Sequence, residues 1–354
     1  MSDVFDTPEE FDQQGSETVA EAKPDPSRPS AVRGRYHLPN PENGKSKSWQ
    51  RVTNFIKLTD DTYHLELWKQ RNVAKGVAIL ATSRPSSFLS ELAASDVRAD
   101  KDRLNNIASR AQAEADAWKM SEEGTALHKS AEDVDYANGD ITRAPAHHRE
   151  KIRLYRDALA TCGLAVVPDL IERVTASTKY QVAGKFDRIF RLPDGSYVTG
   201  DLKTGDSLDL SFPSIAAQLD CYRDGINTVG IFDGQRYDTR IKVREDIGIV
   251  VHLPSTRDEV TVYAVKLDQG AEINRVNLEV RAVRKIKAKH VAVPFVPAEY
   301  GLTVDAVDHY WLERLNAAAT VDEMAQVAAR ARSLGVWNER LSQQARIIAA
   351  EHGA

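Results

Sequence analysis

The spacing of hydrophobic residues divides the chain into a polar leader, a helical stretch and a region rich in strands. Residues 1–48 are acidic at first and then rich in proline, with few apolar side chains. Such a segment cannot bury enough apolar surface to offset its chain entropy, so we expect it to be disordered, with order beginning near Trp49. It is either a solvated leader or an acidic mimic of DNA that regulates a basic groove.

Helical periodicity dominates from about residue 55 to residue 135. Apolar residues recur at three-to-four spacing from Leu104 to Ala115, which predicts a helix that begins after Asp100. The segment from residue 303 onward is also predicted to be helical, with a cap at Thr320 or Asp322. Further helices are predicted over 121–134, 146–162, 213–229 and 270–289.

Strand-like segments lie between these helices. Runs rich in β-branched and aromatic residues predict strands over 170–175, 180–192 and 196–202, and the turn Pro193-Asp194-Gly195 joins the last two. Two more strands are predicted over 247–253 and 260–267. This order of elements predicts an α/β fold with a mixed sheet.

Composition narrows the classes of function. A chain of 354 residues that is 42 % hydrophobic can bury a core, and its net charge of −5 excludes a uniformly basic nucleic-acid coat but not a local basic groove. Two cysteines, Cys162 and Cys221, are too few for a disulfide framework or a four-thiolate metal site. The sequence has no apolar run of membrane-spanning length and no signal pattern, so we expect a cytoplasmic protein.

The residues with the clearest chemistry are Asp187, Asp201 and Lys203. The two aspartates lie on the two arms of the predicted hairpin, where cross-strand neighbours are about 5 Å apart. Period two along a strand places Asp201 and Lys203 on one face and turns Leu202 to the other. Two carboxylates that meet in this way can hold one or two divalent cations.

Such a site suits phosphodiester hydrolysis. The metal acidifies a water and neutralises the phosphate, while the adjacent Lys203 orients the water or stabilises charge. We expect nearby metal ions to lower the pKa of this lysine. Because Asp-x-Lys is a common tripeptide, an ordinary exposed ion pair beside a turn is the competing interpretation.

The wider context contains more of a known pattern. In chain order the sequence contains Gly124-x-x-x-His128, Gly184-x-x-Asp187, Asp201-x-Lys203 and Gln218-x-x-x-Tyr222. This combination resembles the RecB/RecE-like branch of the PD-(D/E)XK nuclease superfamily, which includes phage recombination exonucleases and CRISPR-adaptation nucleases. The resemblance extends over roughly residues 52–267.

The resemblance implies a restriction-endonuclease-like core, a mixed central sheet flanked by helices, with an N-terminal helical region. We place a nuclease domain over 49–300 and a C-terminal helical extension over 301–354. The extension suits docking to a partner or formation of a homo-oligomer, or it packs back on the core. The cofactor implied is Mg²⁺ or Mn²⁺, as one or two ions. An iron–sulfur cluster is not expected, because it needs four cysteines and the chain has two. ATP binding is not expected either, because the sequence contains no complete phosphate-binding loop.

Individual roles also follow from the resemblance. The implied metal ligands are His128, Asp187, Asp201 and the carbonyl of Leu202, the implied catalytic lysine is Lys203, and Gln218 and Tyr222 line the site.

Several of these residues have alternative interpretations. Glu172 precedes the hairpin where family members often carry an acid, and we count it as a candidate ligand. Glu132 is either an orienting partner of His128 or an exposed helix acid. Tyr222 is alternatively a core residue, and we expect His148 to lie on the surface.

The implied substrate is linear duplex or single-stranded DNA. A basic stripe on the predicted helix 270–289 is either a surface that follows a DNA backbone or a solvated helix face, and Trp68, Trp118 and Tyr136 are candidates to stack on a strand end. We therefore expect a metal-dependent exonuclease of phage-type recombination, which works beside a single-strand annealing or recombination protein. The alternatives are a structure-selective endonuclease and a DNA-binding scaffold with a vestigial site.

Overall fold

The structure is a computed structural model that describes residues 25–83, 87–116, 119–295, 300 and 305–351. The chain forms two compact units, Met1–Arg284 and Lys285–Ala354, and each is described by itself. The division follows Arg284, whereas the sequence placed the boundary at residue 300.

Eleven strands lie in the described part of the first unit. They are β1 (Arg35–Pro39), β2 (Ser46–Arg51), β3 (Ala165–Val166), β4 (Arg173–Ser177), β5 (Val182–Phe186), β6 (Arg188–Arg191), β7 (Tyr197–Lys203), β8 (Ile231–Phe232), β9 (Tyr237–Asp238), β10 (Ile247–His252) and β11 (Thr261–Lys266).

These strands form two mixed sheets. One has the order β1-β2-β5-β4-β8-β9 and the other β11-β10-β7-β6-β3. Strand β2 runs parallel to β5, and β10 runs parallel to β7, while the other neighbours are antiparallel. The prediction of an α/β fold with mixed sheet pairing is confirmed, although one central sheet was expected and the described strands form two.

The two sheets meet at Asp187. The segment 180–192 was predicted as one strand, but it breaks there into β5 and β6, which belong to different sheets. The Asp187 side chain accepts a hydrogen bond from the Leu202 amide of β7, while its own carbonyl accepts one from the Glu172 amide. Asp187 is thus bonded toward both sheets, and a continuous run of strand-forming residues gives no sign of this break.

The prediction of disorder through residue 48 is wrong for strands β1 and β2. Tyr36, Leu38 and Trp49 are buried on one side of this hairpin, and Gly44 occupies its turn with φ of +69°. Residues 1–24 lie outside the described residues.

The first unit contains eight α-helices in its described part. They are α1 (Val52–Ile56), α2 (Tyr63–Ser83), α3 (Ser87–Ala93), α4 (Lys101–Glu114), α5 (Lys119–Tyr136), α6 (Arg149–Thr161), α7 (Phe212–Thr228) and α8 (Leu267–Val283). The helices expected after Asp100, over 121–134, over 146–162 and over 213–229 are confirmed. The helix predicted over 270–289 ends earlier than expected, at Val283 and not near Lys289.

Strand β7 lies between two apolar layers. Val198 and Leu202 pack with buried residues of α5 and α6, including Leu127 and Ile152. On the other side, residues of α7 pack with Val250, the ladder partner of Asp201. Leu202 is therefore turned into apolar packing as predicted, and Asp201 projects from the side that carries α7.

The described part of the second unit contains α9 (Asp305–Asn316), α10 (Val321–Ser333) and α11 (Glu339–Glu351) around a core that includes Trp311 and Leu341. The predicted cap is confirmed at Thr320, whose hydroxyl accepts a hydrogen bond from the Glu323 amide. Among the described residues of either unit, no helix is both long and apolar enough to cross a membrane.

Candidate metal centre

Helix α5 brings His128 and Glu132 to the site. The two residues are one turn apart and therefore share a helix face, and His128 Nε2 lies 3.4 Å from Glu132 Oε1. Gly124 lies one turn before His128, where an added Cβ would be 2.7 Å from Thr204 Oγ1. Because glycine has no side chain at this position, α5 packs closely against the end of β7.

Asp187 meets this helix face from the junction of the two sheets. Its Oδ1 lies 3.1 Å from His128 Nε2 and 3.2 Å from an Arg188 guanidinium nitrogen. Its Oδ2 accepts a hydrogen bond of 2.6 Å from the Leu202 amide. The carboxylate is buried and is held against the backbone of β7.

Glu172 approaches from the residue before β4. It has a positive φ of 54°, a conformation that costs free energy for a residue with a side chain and that clusters at functional sites. Its amide donates to the Asp187 carbonyl, and its carboxylate forms an ion pair with Lys185. This backbone conformation fixes Glu172 beside Asp187.

These four residues form one group. The ligand atoms of His128, Glu132, Glu172 and Asp187 all lie within 4.8 Å of one another, and two of the side chains are buried. The structure thus brings together three of the predicted metal residues and adds Glu132. Glu132 is only 9 % exposed, so its interpretation as an exposed helix acid is wrong.

Burial and charge act against each other in this group. Burial lowers the pKa of His128, but the charge of Asp187 and the hydrogen bonds that Asp187 and Glu132 accept from the imidazole outweigh burial and raise the pKa to about 10. Burial likewise raises the pKa of Asp187, yet Arg188, His128 and the Leu202 amide lower it overall. At neutral pH, then, a protonated imidazole lies between ionised carboxylates.

The two glutamates differ. The pKa of Glu132 is lowered, because the bonds from His128 and Lys129 outweigh the effect of burial. The pKa of Glu172 is raised, because burial outweighs the attraction of Lys185.

Asp201 and Lys203 lie beside the four-residue group. Lys203 Nζ is 2.8 Å from Asp201 Oδ2, and that oxygen is buried without an aligned hydrogen bond. Among the described residues the group of four does not include Asp201. Its role as a ligand stays a prediction, as does that of the Leu202 carbonyl.

Lys203 connects the two parts of the site. Burial lowers the pKa of this lysine, but the charges of Asp201 and Asp187 outweigh burial and raise it. The ammonium is thus within electrostatic reach of both carboxylates. Asp187 and Asp201 lie on neighbouring chain segments because Arg188 of β6 pairs with Gly200 of β7. The lowered pKa expected with bound metal stays a prediction for the loaded site.

Gln218 and Tyr222 lie on α7 at the Asp201 side. The Gln218 amide donates to the Tyr222 hydroxyl at 3.2 Å, and the charge of Asp201 contributes to the raised pKa of Tyr222, after burial as the main cause. Tyr222 is also buried against Phe186. It is a core residue whose hydroxyl reaches toward the site.

Arg188 is a residue that the sequence analysis missed. It is fully buried, and its guanidinium donates to Asp135 Oδ2 at 3.0 Å, to the Tyr155 hydroxyl and to Asp187. The Tyr155 hydroxyl also donates to Asp135 at 2.8 Å. An arginine next to the central aspartate was the available signal, and its buried partner on α5 was not visible in the sequence.

The donors fit a hard divalent cation. Three carboxylates and one imidazole supply the oxygen-rich set that Mg²⁺ and Mn²⁺ accept, and a carboxylate oxygen of Asp201 is buried nearby without an aligned hydrogen bond. Among the described residues this is the one such group of His, Cys, Asp and Glu side chains. The arrangement can hold a metal ion.

The three arginines of the predicted basic stripe are all engaged in contacts within the chain. Arg275 pairs with Glu272 and Glu279, Arg281 donates to the Tyr180 carbonyl, and Arg284 donates to the Leu58 carbonyl. Of the aromatic candidates for stacking, Trp68 is 37 % exposed, the Tyr136 hydroxyl donates to the Ile171 carbonyl, and Trp118 lies outside the described residues.

We expected His148 to lie on the surface, but the structure buries it, and only 2 % of the residue is exposed. Its Nδ1 lies 2.7 Å from Ser130 Oγ, and its Nε2 lies 3.0 Å from Glu123 Oε1. Its position before α6 hides this contact from a search for ligands at helical spacing.

Comparison with models of known protein families and with curated proteins finds no significant match for this chain.

Proposed function

We propose that this protein is a divalent-metal-dependent deoxyribonuclease that digests linear DNA as an exonuclease. The observation that carries the proposal is the group His128, Glu132, Glu172 and Asp187 beside the Asp201–Lys203 pair at the end of β7. Carboxylates that hold a cation next to a lysine form the arrangement that phosphodiester hydrolysis requires. The proposal includes membership of the RecB/RecE-like branch of the PD-(D/E)XK nucleases and a restriction-endonuclease-like core.

The residues take complementary parts. Mg²⁺ or Mn²⁺, when bound, would acidify a water and neutralise charge on the scissile phosphate. His128, Glu132, Glu172 and Asp187 hold the ion, while Arg188 keeps the Asp187 carboxylate in place.

Lys203 either orients the attacking water or stabilises the negative charge that develops on the phosphate. Without a metal ion, Asp201 and Asp187 raise the pKa of this lysine, so that it carries an ammonium that can bind a phosphate oxygen. Gln218, which is half-buried on α7, orients the DNA strand beside Asp201.

Digestion of end-labelled linear DNA tests the proposal. With Mg²⁺, we expect the full chain to shorten linear duplex or single-stranded DNA, and we expect Lys203→Ala and Asp201→Ala to lower the rate by at least about a hundredfold. Lys266→Ala removes an exposed lysine at the end of β11 and serves as the control that retains the rate.

A covalently closed circle distinguishes the two nuclease classes. An exonuclease leaves the circle intact, while cleavage of the circle would replace our proposal by a structure-selective endonuclease. Equal digestion by wild type, Lys203→Ala and Asp201→Ala would contradict the assignment of the site, and DNA binding without any cleavage would favour a scaffold with a vestigial site.

A further inference from the structure

Every carboxylate in and beside the metal group is paired with a cation of the same chain. Lys129 Nζ lies 3.2 Å from Glu132, Lys203 Nζ lies 2.8 Å from Asp201, Arg188 lies 3.2 Å from Asp187, and Lys185 pairs with Glu172. A divalent ion at these carboxylates would stand close to all four cations and repel them. The four pairs differ in how each cation can respond.

We expect three of the four cations to keep their positions when a metal ion binds. Arg188 is fully buried and is also held by Asp135 and Tyr155. Lys129 has a second acid partner, Asp133, at 3.1 Å, which remains when Glu132 binds a metal ion. Lys203 is only 31 % exposed and belongs to the proposed reaction itself.

Lys185 is different. Its side chain is 41 % exposed, and it is the one exposed residue on the otherwise buried strand β5. Among the described residues, Glu172 is its one acid partner in an ion pair. When a metal ion takes Glu172, the lysine therefore loses its partner, and its flexible stem lets the ammonium move into solvent.

A second cation lies near Lys185. Arg51 of β2 pairs with Ala183 of β5, two residues from Lys185, so both cations lie on the same face of the first sheet, and the charges of both act on the buried hydroxyl of Tyr36. Lys185 is also two residues before Asp187 on the chain, which places it at the margin of the metal group.

From these contacts we infer that Lys185 is a positioning residue that exchanges partners. It neutralises Glu172 while the site holds no metal ion, and it binds a phosphate of the DNA strand once a divalent cation occupies Glu172. The inference rests on the proposed function and adds to it a coupling between metal loading and DNA binding, since the released ammonium is available only in the loaded site.

Two titrations of the full chain test the inference with Lys185→Gln, Lys185→Arg and the control Lys266→Gln. The first measures Mn²⁺ affinity by calorimetry without DNA. Because the competing ammonium is gone, we expect Lys185→Gln to bind Mn²⁺ about fivefold more tightly, the scale of one partly exposed ion pair. Lys185→Arg and Lys266→Gln should match the wild type.

The second titration measures the affinity for linear DNA in Ca²⁺ as a function of salt concentration. Lys185→Gln should bind DNA about fivefold more weakly, and the slope of log affinity against log salt should fall by about one, as for the loss of one phosphate contact. Lys185→Arg should restore both. A merely structural lysine would leave the salt slope unchanged.

The outcomes separate the inference from the proposed function. Mn²⁺ binding by Lys185→Gln that is unchanged or weaker, or an unchanged salt slope, overturns the exchange while wild-type binding of metal and DNA still supports the nuclease. Failure of the wild type to bind either Mn²⁺ or DNA would overturn both.

Discussion

Two adjacent residues of one chain segment, Asp187 and Arg188, belong to regions of opposite character. Arg188 lies in a fully buried network with Asp135 and Tyr155, in which each side chain is hydrogen-bonded to the other two. Asp187 belongs to the metal group, in which Glu172 and Glu132 are paired with lysines that are 41 % and 60 % exposed. The buried cation holds the fold. A metal ion can replace the exposed Lys185 at Glu172, while Lys129 keeps its second partner, Asp133, when Glu132 binds the ion.

The comparison explains how the site can carry so much charge. A buried charge is tolerated when its partners are fixed and hydrogen-bonded, as around Arg188. Glu132 and Glu172 of the metal group are paired instead with partly exposed lysines, so a divalent cation can bind these two carboxylates at little structural cost.

The largest effect is expected from Arg188→Met. It leaves Asp135 buried without its main counterion, so we expect the free energy of unfolding to fall by about 3–5 kcal/mol, measured by urea denaturation of the full chain. Arg156→Met is the matched control, because Arg156 lies 3.9 Å from the same aspartate but is 40 % exposed. A loss below about 1 kcal/mol for Arg188→Met would remove the distinction between the two regions.

Proton competition at His128 should make metal binding depend on pH. The folded protein raises the pKa of His128 to about 10, so a metal ion must displace a proton at any lower pH. The apparent affinity for Mn²⁺ should therefore rise with pH from 6 to 9, by up to about tenfold per unit for one released proton. In His128→Gln the affinity should be lower and its pH slope flatter. An equal slope in both proteins would show that His128 is not a ligand.

The smallest effect is expected from Lys129→Gln. This lysine is 60 % exposed and pairs with Glu132 and Asp133, so its loss should change the free energy of unfolding by less than about 1 kcal/mol. Urea denaturation beside Arg188→Met gives the comparison directly. A loss as large as that of Arg188→Met would mean that the cations around the metal group are also structural.

Much of the local structure could be predicted from the sequence. The helix after Asp100 and the helix over 213–229 have clear apolar spacing, and His128, Glu172 and Asp187 were found as candidates before the structure placed them together. These predictions depend on patterns within one element or on short motifs, which the sequence displays directly.

The rest depends on contacts that are remote along the chain. Strands β1 and β2 were missed because prolines and polar residues surround the few inward side chains, although the Asn43-Gly44 pair is a hairpin signal. The break at Asp187 comes from its bonds to Leu202 and Glu172. Glu132 likewise lies beside Glu172 and Asp187, which are remote along the chain, and no local pattern reveals this proximity.

The central claim is that the group His128, Glu132, Glu172 and Asp187 binds a divalent cation, and calorimetric titration of the full chain with Mn²⁺ at neutral pH tests it most directly. We expect saturable binding that Glu132→Gln weakens by at least about tenfold and Asp187→Asn weakens further, while Lys266→Gln binds as the wild type does. Absence of binding by the wild type, or equal binding by Asp187→Asn, would contradict it.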